Sequence, residues 1–327
     1  MNIVRVALAV PLPRFFDYLY SPDLTPIVGG RVLVPFGSQK RVGIVVDLPA
    51  SSDVAKEKLK PIIDVLDAES LFNSTTWDWL AWSANYYRAA LGDVLFQALP
   101  VKLRNGESAV KNDRTFWRIT DLGKQALELG ALKRAKKQIE ALNLLLTQDL
   151  EKGNNEISSA IWSALKGKDY VEEIIVPSEQ KSWQQALGDN PLVNLDNRLT
   201  LNKQQALAFS QLLFQEGFNV WLLEGVTGSG KTEIYLQYIE EVLKKGKQVL
   251  VLVPEIGLTP QTVRRFQARF NVEIDVLHSN LNDTQRLNVW ERARTGQSAI
   301  VIGTRSALFT QFSNLGLIIL DEEHDGS

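Results

Sequence analysis

A glycine-rich segment constrains the fold of this chain more than any other feature. Residues 225–232 read Gly-Val-Thr-Gly-Ser-Gly-Lys-Thr, follow the apolar run 220–224, and precede a helical pattern that continues to residue 245. A strand, a turn of this spacing and a helix together are typical of a phosphate-binding P-loop. Glycines let backbone N–H groups point at phosphate oxygens, and the positive end of the helix adds to the attraction. The sequence therefore predicts a nucleotide-binding α/β domain.

Individual roles within this loop follow from its chemistry. Lys231 is expected to contact the β- and γ-phosphates of ATP, and the Thr232 hydroxyl to bind Mg²⁺. The remaining predicted ATP-binding residues of the loop are Gly225, Thr227, Gly228, Ser229 and Gly230.

An acidic cluster supplies the second half of the predicted ATP site. Asp321, Glu322, Glu323 and His324 come directly after the apolar run 315–320. We expect Asp321 to hold Mg²⁺ through water and Glu322 to polarise the attacking water. His324 is the candidate for coupling the nucleotide state to DNA. A lone acidic cluster after a strand is usually solvated, but its pairing with a P-loop favours the catalytic interpretation.

Five short apolar runs alternate with helical stretches from residue 201 onward. This pattern is typical of parallel strands buried on both faces, whose ligands lie at the carboxyl ends of the strands. Residues 253–259 and 303–306 follow two of these runs, and Thr304 and Arg305 are the candidate DNA contacts among them. Helix amino termini and threonine hydroxyls bind a nucleic-acid backbone without reading its sequence. The five runs are 220–224, 248–253, 272–277, 299–303 and 315–320.

The amino-terminal region predicts a β-rich domain. Residues 1 to about 70 alternate apolar segments with Pro, Gly and Asp breaks. Asn73 or Ser74 then starts a predicted helix that ends near Gly92. Its aromatic residues could stack on bases, but helical spacing favours core or interface packing. These residues are Trp77, Trp82, Tyr86 and Tyr87.

Residues 112–178 change to a helix-rich pattern that ends in a strand, which indicates a winged helix. Its basic side chains, Lys133, Arg134, Lys136 and Lys137, could bind phosphates or form a solvated face. The polar segment 179–200 is interpreted as a linker. The predicted domains are thus 1–110, 111–178 and 201–327.

Composition excludes several classes of site. The chain has no cysteine, which rules out disulfides and thiolate metal sites within it. Its only two histidines, His278 and His324, disfavour a Ser-His-Asp triad. A net charge of −2 means that any DNA contact is local. No run reaches about 18 apolar residues, which predicts a soluble cytoplasmic protein with no membrane partner.

Several segments together resemble the PriA family of replication-restart helicases (primosomal protein N′), within helicase superfamily 2. The resemblance implies an ATP-dependent 3′-to-5′ DNA helicase that recognises stalled or repaired forks and initiates primosome assembly. Its implied partners are forked DNA with a nascent 3′ end, single-stranded DNA, single-stranded DNA-binding protein and other primosome proteins. The segments are GVTGSGKTE, VPEIGLTPQT, LHSNLND, IGTRSALF, DEEHDGS, VALAVPLPRFFDYLY and RVLVPFG.

The resemblance also implies DNA-binding residues in the first domain, which would capture a 3′ end. Phe16 would stack on the terminal base, Asp17 would accept a hydrogen bond from a free 3′-hydroxyl, and Lys60 would meet phosphate. Gly37 is the fourth position that matches a DNA-binding residue of the family. Gln205 occupies the place of the adenine-sensing glutamine of such motors.

Members of the family continue into a second motor lobe, a zinc-binding insertion and a further DNA-binding domain, none of which lies in these 327 residues. The expected fold is thus multidomain: a β-rich DNA-binding domain, a winged helix, and a RecA-like helicase lobe 1 whose parallel sheet is incomplete. Zinc is expected only in the absent part. Without the arginine finger of a second lobe, ATP turnover is expected to be about 10³- to 10⁵-fold lower. The alternatives are a non-catalytic fork-binding module and another superfamily 2 translocase.

Overall fold

The computed structural model of the protein describes residues 2–108, 114–130, 132, 135–152, 157–176, 181–213, 217–226 and 228–322. The chain divides into two compact units, one from residues 1–109 and 181–327 and the other from residues 110–180. Within these described ranges, every helix is too short or too polar to cross a membrane.

The first unit begins with five short strands in the order β2-β1-β4-β3-β5. Leu19 N donates to Lys60 O at 2.9 Å, and Ile63 N donates to Leu33 O at 2.7 Å. Residues 60–65 therefore bond to strands at both edges of the sheet and close it into a small barrel. The β-rich domain predicted for this region is present. The strands are β1 (Asn2–Leu8), β2 (Phe16–Tyr20), β3 (Arg31–Phe36), β4 (Gln39–Asp47) and β5 (Asp64–Val65).

Alternate residues of these strands fill the barrel. Side chains at every second position of β1 and β3 point inward, as the period of a strand requires. Val4, Val6, Val32 and Val34 are fully buried there. Phe16 and Phe36 are only partly buried and pack against the same cluster. They therefore lie at one end of the barrel rather than at its centre.

Three helices follow the barrel: α1 (Ser74–Tyr86), α2 (Leu91–Gln97) and α3 (Val101–Arg104). The Asn73 side chain caps α1 by accepting a hydrogen bond from Thr76 N at 2.8 Å. The predicted end near Gly92 is wrong, because Arg88 has a left-handed backbone (φ 54°) that interrupts the helix. Gly92 lies inside α2, where a Cβ would come 2.0 Å from Leu8 O. Only glycine allows α2 to approach β1 this closely.

The aromatic residues of α1 are mostly in solvent. Trp82, Tyr86 and Tyr87 are 55%, 64% and 73% exposed. The rings of Trp82 and Tyr86 stack with centroids 5.0 Å apart. Trp77 instead packs edge-on against Phe72 at 6.0 Å. The three exposed rings are therefore not core residues of the described chain, and interface packing stays the prediction for them.

The described part of the second unit contains three helices and a three-stranded antiparallel sheet of order β7-β6-β8. The rings of Trp117 and Trp162 stack at 5.3 Å in its core. Lys136 and Lys137 are exposed at the start of α5, whereas Lys133 and Arg134 lie outside the described residues. The elements are β6 (Arg114–Ile119), α4 (Asp121–Glu128), α5 (Lys136–Thr147), β7 (Leu150–Glu151), α6 (Ser159–Lys166) and β8 (Val171–Val176).

The rest of the first unit is an α/β domain around a parallel sheet of order β10-β11-β9-β12. Its central strands are fully buried, as expected for a sheet covered on both faces. The elements are α7 (Trp183–Leu187), α8 (Lys203–Leu213), α9 (Lys231–Lys244), β9 (Gln248–Leu252), α10 (Pro260–Arg269), β10 (Ile274–Leu277), α11 (Asp283–Arg294), β11 (Ile300–Gly303) and β12 (Leu315–Leu320).

The prediction of a strand at 220–224 is wrong. These residues form no strand in the structure, and Val220 and Leu222 are 83% and 81% exposed. The described sheet therefore has four parallel strands rather than five, and β12 forms one edge. An apolar run shows that a segment is suited to burial, but a strand also needs a hydrogen-bonding neighbour and a covering layer. Residues 220–224 have neither in the described structure.

The segment interpreted as a linker packs on the α/β domain. Trp183 and Val193 are 3% and 8% exposed within the core of that domain. Asn194 N donates to Arg269 O at 2.8 Å. Residues 181–200 are therefore part of the folded domain rather than a flexible connection, which their polar composition does not reveal.

The helices after the barrel contact the α/β domain directly. The rings of Trp79 on α1 and Phe309 lie 5.7 Å apart. Asn73 Nδ2 donates to Phe312 O at 3.0 Å. These contacts connect the barrel region to residues 305–309, a short 3-10 helix that follows one of the predicted DNA-contact segments.

Candidate nucleotide site and DNA-binding surfaces

The predicted P-loop has an open conformation that depends on glycine. Gly228 and Gly230 have φ values of 81° and 83°, in the left-handed region that favours glycine. A Cβ at Gly228 would meet no described atom within 4 Å. Helix α9 begins at Lys231 immediately after the loop, and its amino terminus adds positive potential there.

The Lys231 ammonium folds back over the loop. Its Nζ donates to Gly225 O at 2.5 Å and lies 3.5 Å from Val226 O. Among the residues that the structure describes, no carboxylate forms an ion pair with it. Backbone carbonyls are weaker partners for an ammonium group than phosphate oxygens are. Lys231 is therefore available to bind an anion. Thr227 lies outside the described residues.

Gln205 contacts the loop from helix α8. Its Nε2 donates to Ser229 O at 2.8 Å. Its backbone N–H donates to Asn202 Oδ1 at 2.9 Å, and its Oε1 accepts from Asn202 N at 2.8 Å. This reciprocal capping pair fixes the side chain at the start of α8. The predicted adenine-sensing residue and the predicted phosphate-binding loop are thus in direct contact.

A tyrosine of the P-loop helix contacts one of the two predicted metal ligands. Tyr235 Oη, one turn into α9, donates to Asp321 Oδ2 at 2.9 Å. Burial raises the pKa of Tyr235 well above its usual range, and the charge of Asp321 raises it further. The phenol therefore stays protonated near neutral pH. Sequence analysis missed Tyr235, because a tyrosine in an amphipathic helix is typical of ordinary packing.

Asp321 and Glu322 lie at the carboxyl end of β12. Asp321 N donates to Leu252 O at 2.9 Å, which fixes its backbone to β9. Glu322 is exposed and has a left-handed backbone with φ 53°, which is uncommon for a residue with a side chain. Its N–H donates to Asp321 Oδ1 at 3.1 Å. Glu323 and His324 lie outside the described residues.

These side chains fit a nucleotide with a divalent cation. Lys231 supplies an ammonium group without an ion-pair partner in the described chain. Thr232 supplies a hydroxyl from the P-loop helix, and Asp321 supplies a carboxylate that Tyr235 of the same helix holds. Mg²⁺ prefers a few such oxygen ligands together with phosphate oxygens and water. The donor set therefore matches a magnesium–triphosphate group rather than a metal held by protein ligands alone.

The predicted DNA-contact segments border one cavity of about 500 Å³. Thr304 lines this cavity, and Arg305 next to it is exposed. Thr259 caps helix α10 by accepting a hydrogen bond from Thr262 N at 3.2 Å, so this helix amino terminus also faces the region. The lining residues include Glu255, Thr259, Arg264, His278, Asn280 and Thr304.

One end of the barrel presents aromatic rings flanked by arginines. The rings of Phe16 and Phe36 meet edge to face at 5.2 Å. The Arg14 guanidinium lies 5.0 Å from the Phe16 ring, and that of Arg41 lies 5.7 Å from the Phe36 ring. Gly37 follows in the tight turn between β3 and β4, with φ 61° and open space around it. Phe16 and Gly37 are thus at the same end. Sequence analysis missed both arginines, which become neighbours only when the barrel closes.

Asp17 lies on the other face of strand β2. Successive side chains of a strand point to opposite faces, so Phe16 and Asp17 do not share a surface. Asp17 accepts hydrogen bonds from Arg5 at 2.8 and 3.0 Å and from Ser52 Oγ at 2.6 Å. The hydrogen bonds from Arg5 hold the pKa of Asp17 below its usual range. Lys60 is exposed beside Leu19. The four residues expected to bind a 3′ end therefore come from strand β2, the turn between β3 and β4, and the segment that closes the barrel beside β2.

Comparisons with known proteins agree with this architecture. A model of the PriA 3′ DNA-binding domain (3′BD) matches residues 5–100, and a model of the DEAD/DEAH box helicase matches residues 202–327. The chain is 76% identical to the replication restart protein PriA of Haemophilus influenzae over 100% of its length and 45% of that protein.

More distant relatives carry the same name. The replication restart protein PriA of Buchnera aphidicola from Acyrthosiphon pisum is 34% identical over 99% of the chain and 44% of that protein. That of Bacillus subtilis is 29% identical over 100% of the chain and 49% of that protein. The chain thus spans less than half the length of these relatives, and it belongs to the PriA family of replication restart proteins.

Proposed function

We propose that this chain contributes the ATP-binding and DNA-binding parts of an ATP-dependent 3′-to-5′ DNA helicase that recognises stalled or repaired replication forks. The observation that carries the proposal is the contact chain from the P-loop helix to Asp321 through Tyr235. Such a contact brings a phosphate-binding loop and a metal-binding carboxylate to one site, which energy transduction by ATP hydrolysis requires. The family name of the relatives, replication restart, supports the biological role.

Each group of the site has a specific role in this proposal. Bound Mg²⁺–ATP supplies the γ-phosphoryl group whose transfer to water drives the motor. Lys231 and the loop N–H groups bind the phosphates, and Gln205 reads the base. Thr232 and Asp321 hold the cation, while Glu322 accepts a proton from the attacking water. The left-handed backbone at Glu322 supports a role beyond a simple strand end, because such strain is concentrated at functional sites.

The DNA-binding part of the proposal rests on two surfaces. The cavity lined by Thr304 and the exposed Arg305 would contact a strand through its backbone. The barrel end would bind a single-stranded 3′ terminus by stacking bases on Phe16 and attracting phosphates to Arg14 and Arg41. We further propose that the α/β domain is a RecA-like lobe and that residues 114–176 form a winged helix.

Binding assays with the chain test the proposal. Fluorescence anisotropy with a fluorescent ATP analogue is expected to show magnesium-dependent binding to the wild type. Lys231→Ala is expected to reduce this binding by at least about tenfold, because a charge-assisted phosphate contact is lost. Binding of a single-stranded oligonucleotide in the absence of nucleotide should be unchanged in this variant, which separates the two functions. Equal ATP binding by both proteins would contradict the motor assignment.

A non-catalytic fork-binding module is the second candidate. It is favoured by the largely exposed segment 217–224, which precedes the P-loop but does not join the sheet. Under this alternative the chain binds 3′ ends and does not bind ATP in any condition. The same assay distinguishes the two, because only the first candidate gives a loss of ATP binding in Lys231→Ala. Single-stranded DNA-binding protein, other primosome proteins and a cytoplasmic location remain proposals.

A further inference from the structure

Tyr235 contacts the catalytic part of the predicted ATP site but belongs to none of its motifs. Its ring stacks on Phe266 with centroids 6.4 Å apart, which fixes its orientation within the core of the α/β domain. Its hydroxyl leaves this apolar environment and donates to Asp321 Oδ2 at 2.9 Å. A phenol packed against a core usually has a hydrogen-bond partner, and for the partly buried Tyr235 that partner is the carboxylate that would bind the cation.

The Asp321 carboxylate is held at both oxygens. Oδ2 accepts from Tyr235, and Oδ1 accepts from Glu322 N at 3.1 Å. Two donors on different elements fix both the position and the rotation of the carboxylate group. Because Tyr235 lies on α9, the helix that the P-loop begins, the bond connects Asp321 on the sheet edge to the helix that also carries Thr232 one turn earlier. The phenol therefore fixes the Asp321 carboxylate relative to the P-loop helix.

We propose that Tyr235 is a positioning residue for the Mg²⁺–ATP complex: it orients the Asp321 carboxylate toward Thr232 so that the site binds the cation without rearrangement. This inference rests on the proposed ATP-binding function and adds a residue to it. Residues that orient metal ligands affect metal affinity about 10- to 100-fold when they are replaced. Tyr235 touches neither nucleotide nor cation in this role.

The test is the Mg²⁺ dependence of ATP binding by the chain. Tyr235→Phe keeps the partly buried ring and removes one hydroxyl, so the fold is expected to be preserved. We expect the Mg²⁺ concentration for half-maximal binding of a fluorescent ATP analogue to rise about tenfold. ATP binding in EDTA is expected to be unchanged, because the phosphates and Lys231 are unaffected. Tyr238→Phe, on the same helix, is the matched control and is expected to behave as wild type.

A double variant tests whether Tyr235 acts through Asp321. In Asp321→Asn the Mg²⁺ concentration for half-maximal ATP binding is expected to be raised already. Adding Tyr235→Phe to this variant should raise it no further. An unaltered Mg²⁺ requirement in Tyr235→Phe overturns the proposal. So does an equal loss of binding with Mg²⁺ and in EDTA, which would mean that the phenol only supports the shape of the loop. If the wild type binds no ATP in either condition, the proposed function itself fails.

Discussion

The carboxylate of Asp17 accepts two hydrogen bonds from the guanidinium of Arg5, at 2.8 and 3.0 Å, across the pairing of β1 and β2. A third bond comes from Ser52, and the Asp17 side chain is only 8% exposed. The family resemblance implies that this carboxylate accepts a hydrogen bond from a 3′-hydroxyl, and its negative charge would by itself repel a 3′-phosphate. The Arg5 guanidinium offsets the charge of Asp17. Discrimination by Asp17 between strands that end in a 3′-hydroxyl and a 3′-phosphate should therefore be weak in this chain.

Arg5→Gln is therefore expected to increase the preference for a free 3′-hydroxyl by about threefold or more, because it leaves the Asp17 charge without its cation. The measurement is fluorescence anisotropy with single-stranded oligonucleotides that end in a 3′-hydroxyl or a 3′-phosphate. Lys245→Gln serves as a control that removes an equal charge on the surface of the α/β domain. An unchanged ratio of the two affinities in Arg5→Gln would show that Asp17 takes no part in reading the terminus.

The same ion pair predicts a pH dependence of stability. Because the Arg5 hydrogen bonds lower the pKa of Asp17 from its ordinary 3.8, the pair stabilises the fold above that pH, and the contribution is lost as pH falls through the lowered value. Arg5→Gln should destabilise the chain by about 1–2 kcal/mol at pH 7, since Arg5 is partly exposed. Urea unfolding at pH 7 and pH 3.5 should show this difference shrinking in acid. A constant difference would contradict the assignment.

Arg14 and Arg41 are expected to bind the backbone of single-stranded DNA. Neither forms an ion pair within the described chain, and each lies over one ring of the Phe16–Phe36 pair. Replacing either arginine with alanine should weaken DNA binding similarly for all base sequences. The slope of log affinity against log salt concentration should become shallower by about 0.7 per arginine. Titrations at several salt concentrations provide the slope. Lys245→Ala, on the surface of the α/β domain, should leave the slope unchanged.

Gln205→Ala is expected to lower ATP affinity by about tenfold and GTP affinity much less, because the side chain at the P-loop would bind the adenine edge. Gln204→Ala is the matched control, since Gln204 is the exposed neighbour on the same helix. Competition between ATP and GTP for the fluorescent analogue measures both affinities. An equal loss for the two nucleotides would mean that the bond to Ser229 merely supports the loop.

The α/β domain was the most predictable part of the chain, because its signals are local. Glycine spacing, the helix after the loop and the runs of β9, β11 and β12 all lie within short segments, and each element formed where it was predicted. The run at 220–224 was the exception. Its composition matches the other strands, but a strand depends on its neighbours, and no sequence window contains that information.

The DNA-binding barrel was less predictable, because its surfaces combine distant residues. Closure of the sheet places Arg14 and Arg41 on the same pair of rings, although 27 positions separate them in sequence. The period of β2 places Phe16 and Asp17 on opposite faces, which a list of matching residues does not convey. Similarly, the exposed aromatic residues of α1 have the spacing of side chains that a neighbouring element buries. Within the described residues no element covers them, and their spacing alone does not reveal this.

Trp183→Ala tests whether residues 181–200 are part of the α/β domain. The indole is 3% exposed in the core that also contains Leu236 and Phe266, so its removal leaves a large cavity. We expect a loss of about 3–5 kcal/mol in the free energy of unfolding. Trp221→Ala is the control, because Trp221 is 42% exposed and outside any strand, and its loss should cost less than about 1 kcal/mol. Equal effects in urea unfolding would mean that the segment is a passive linker after all.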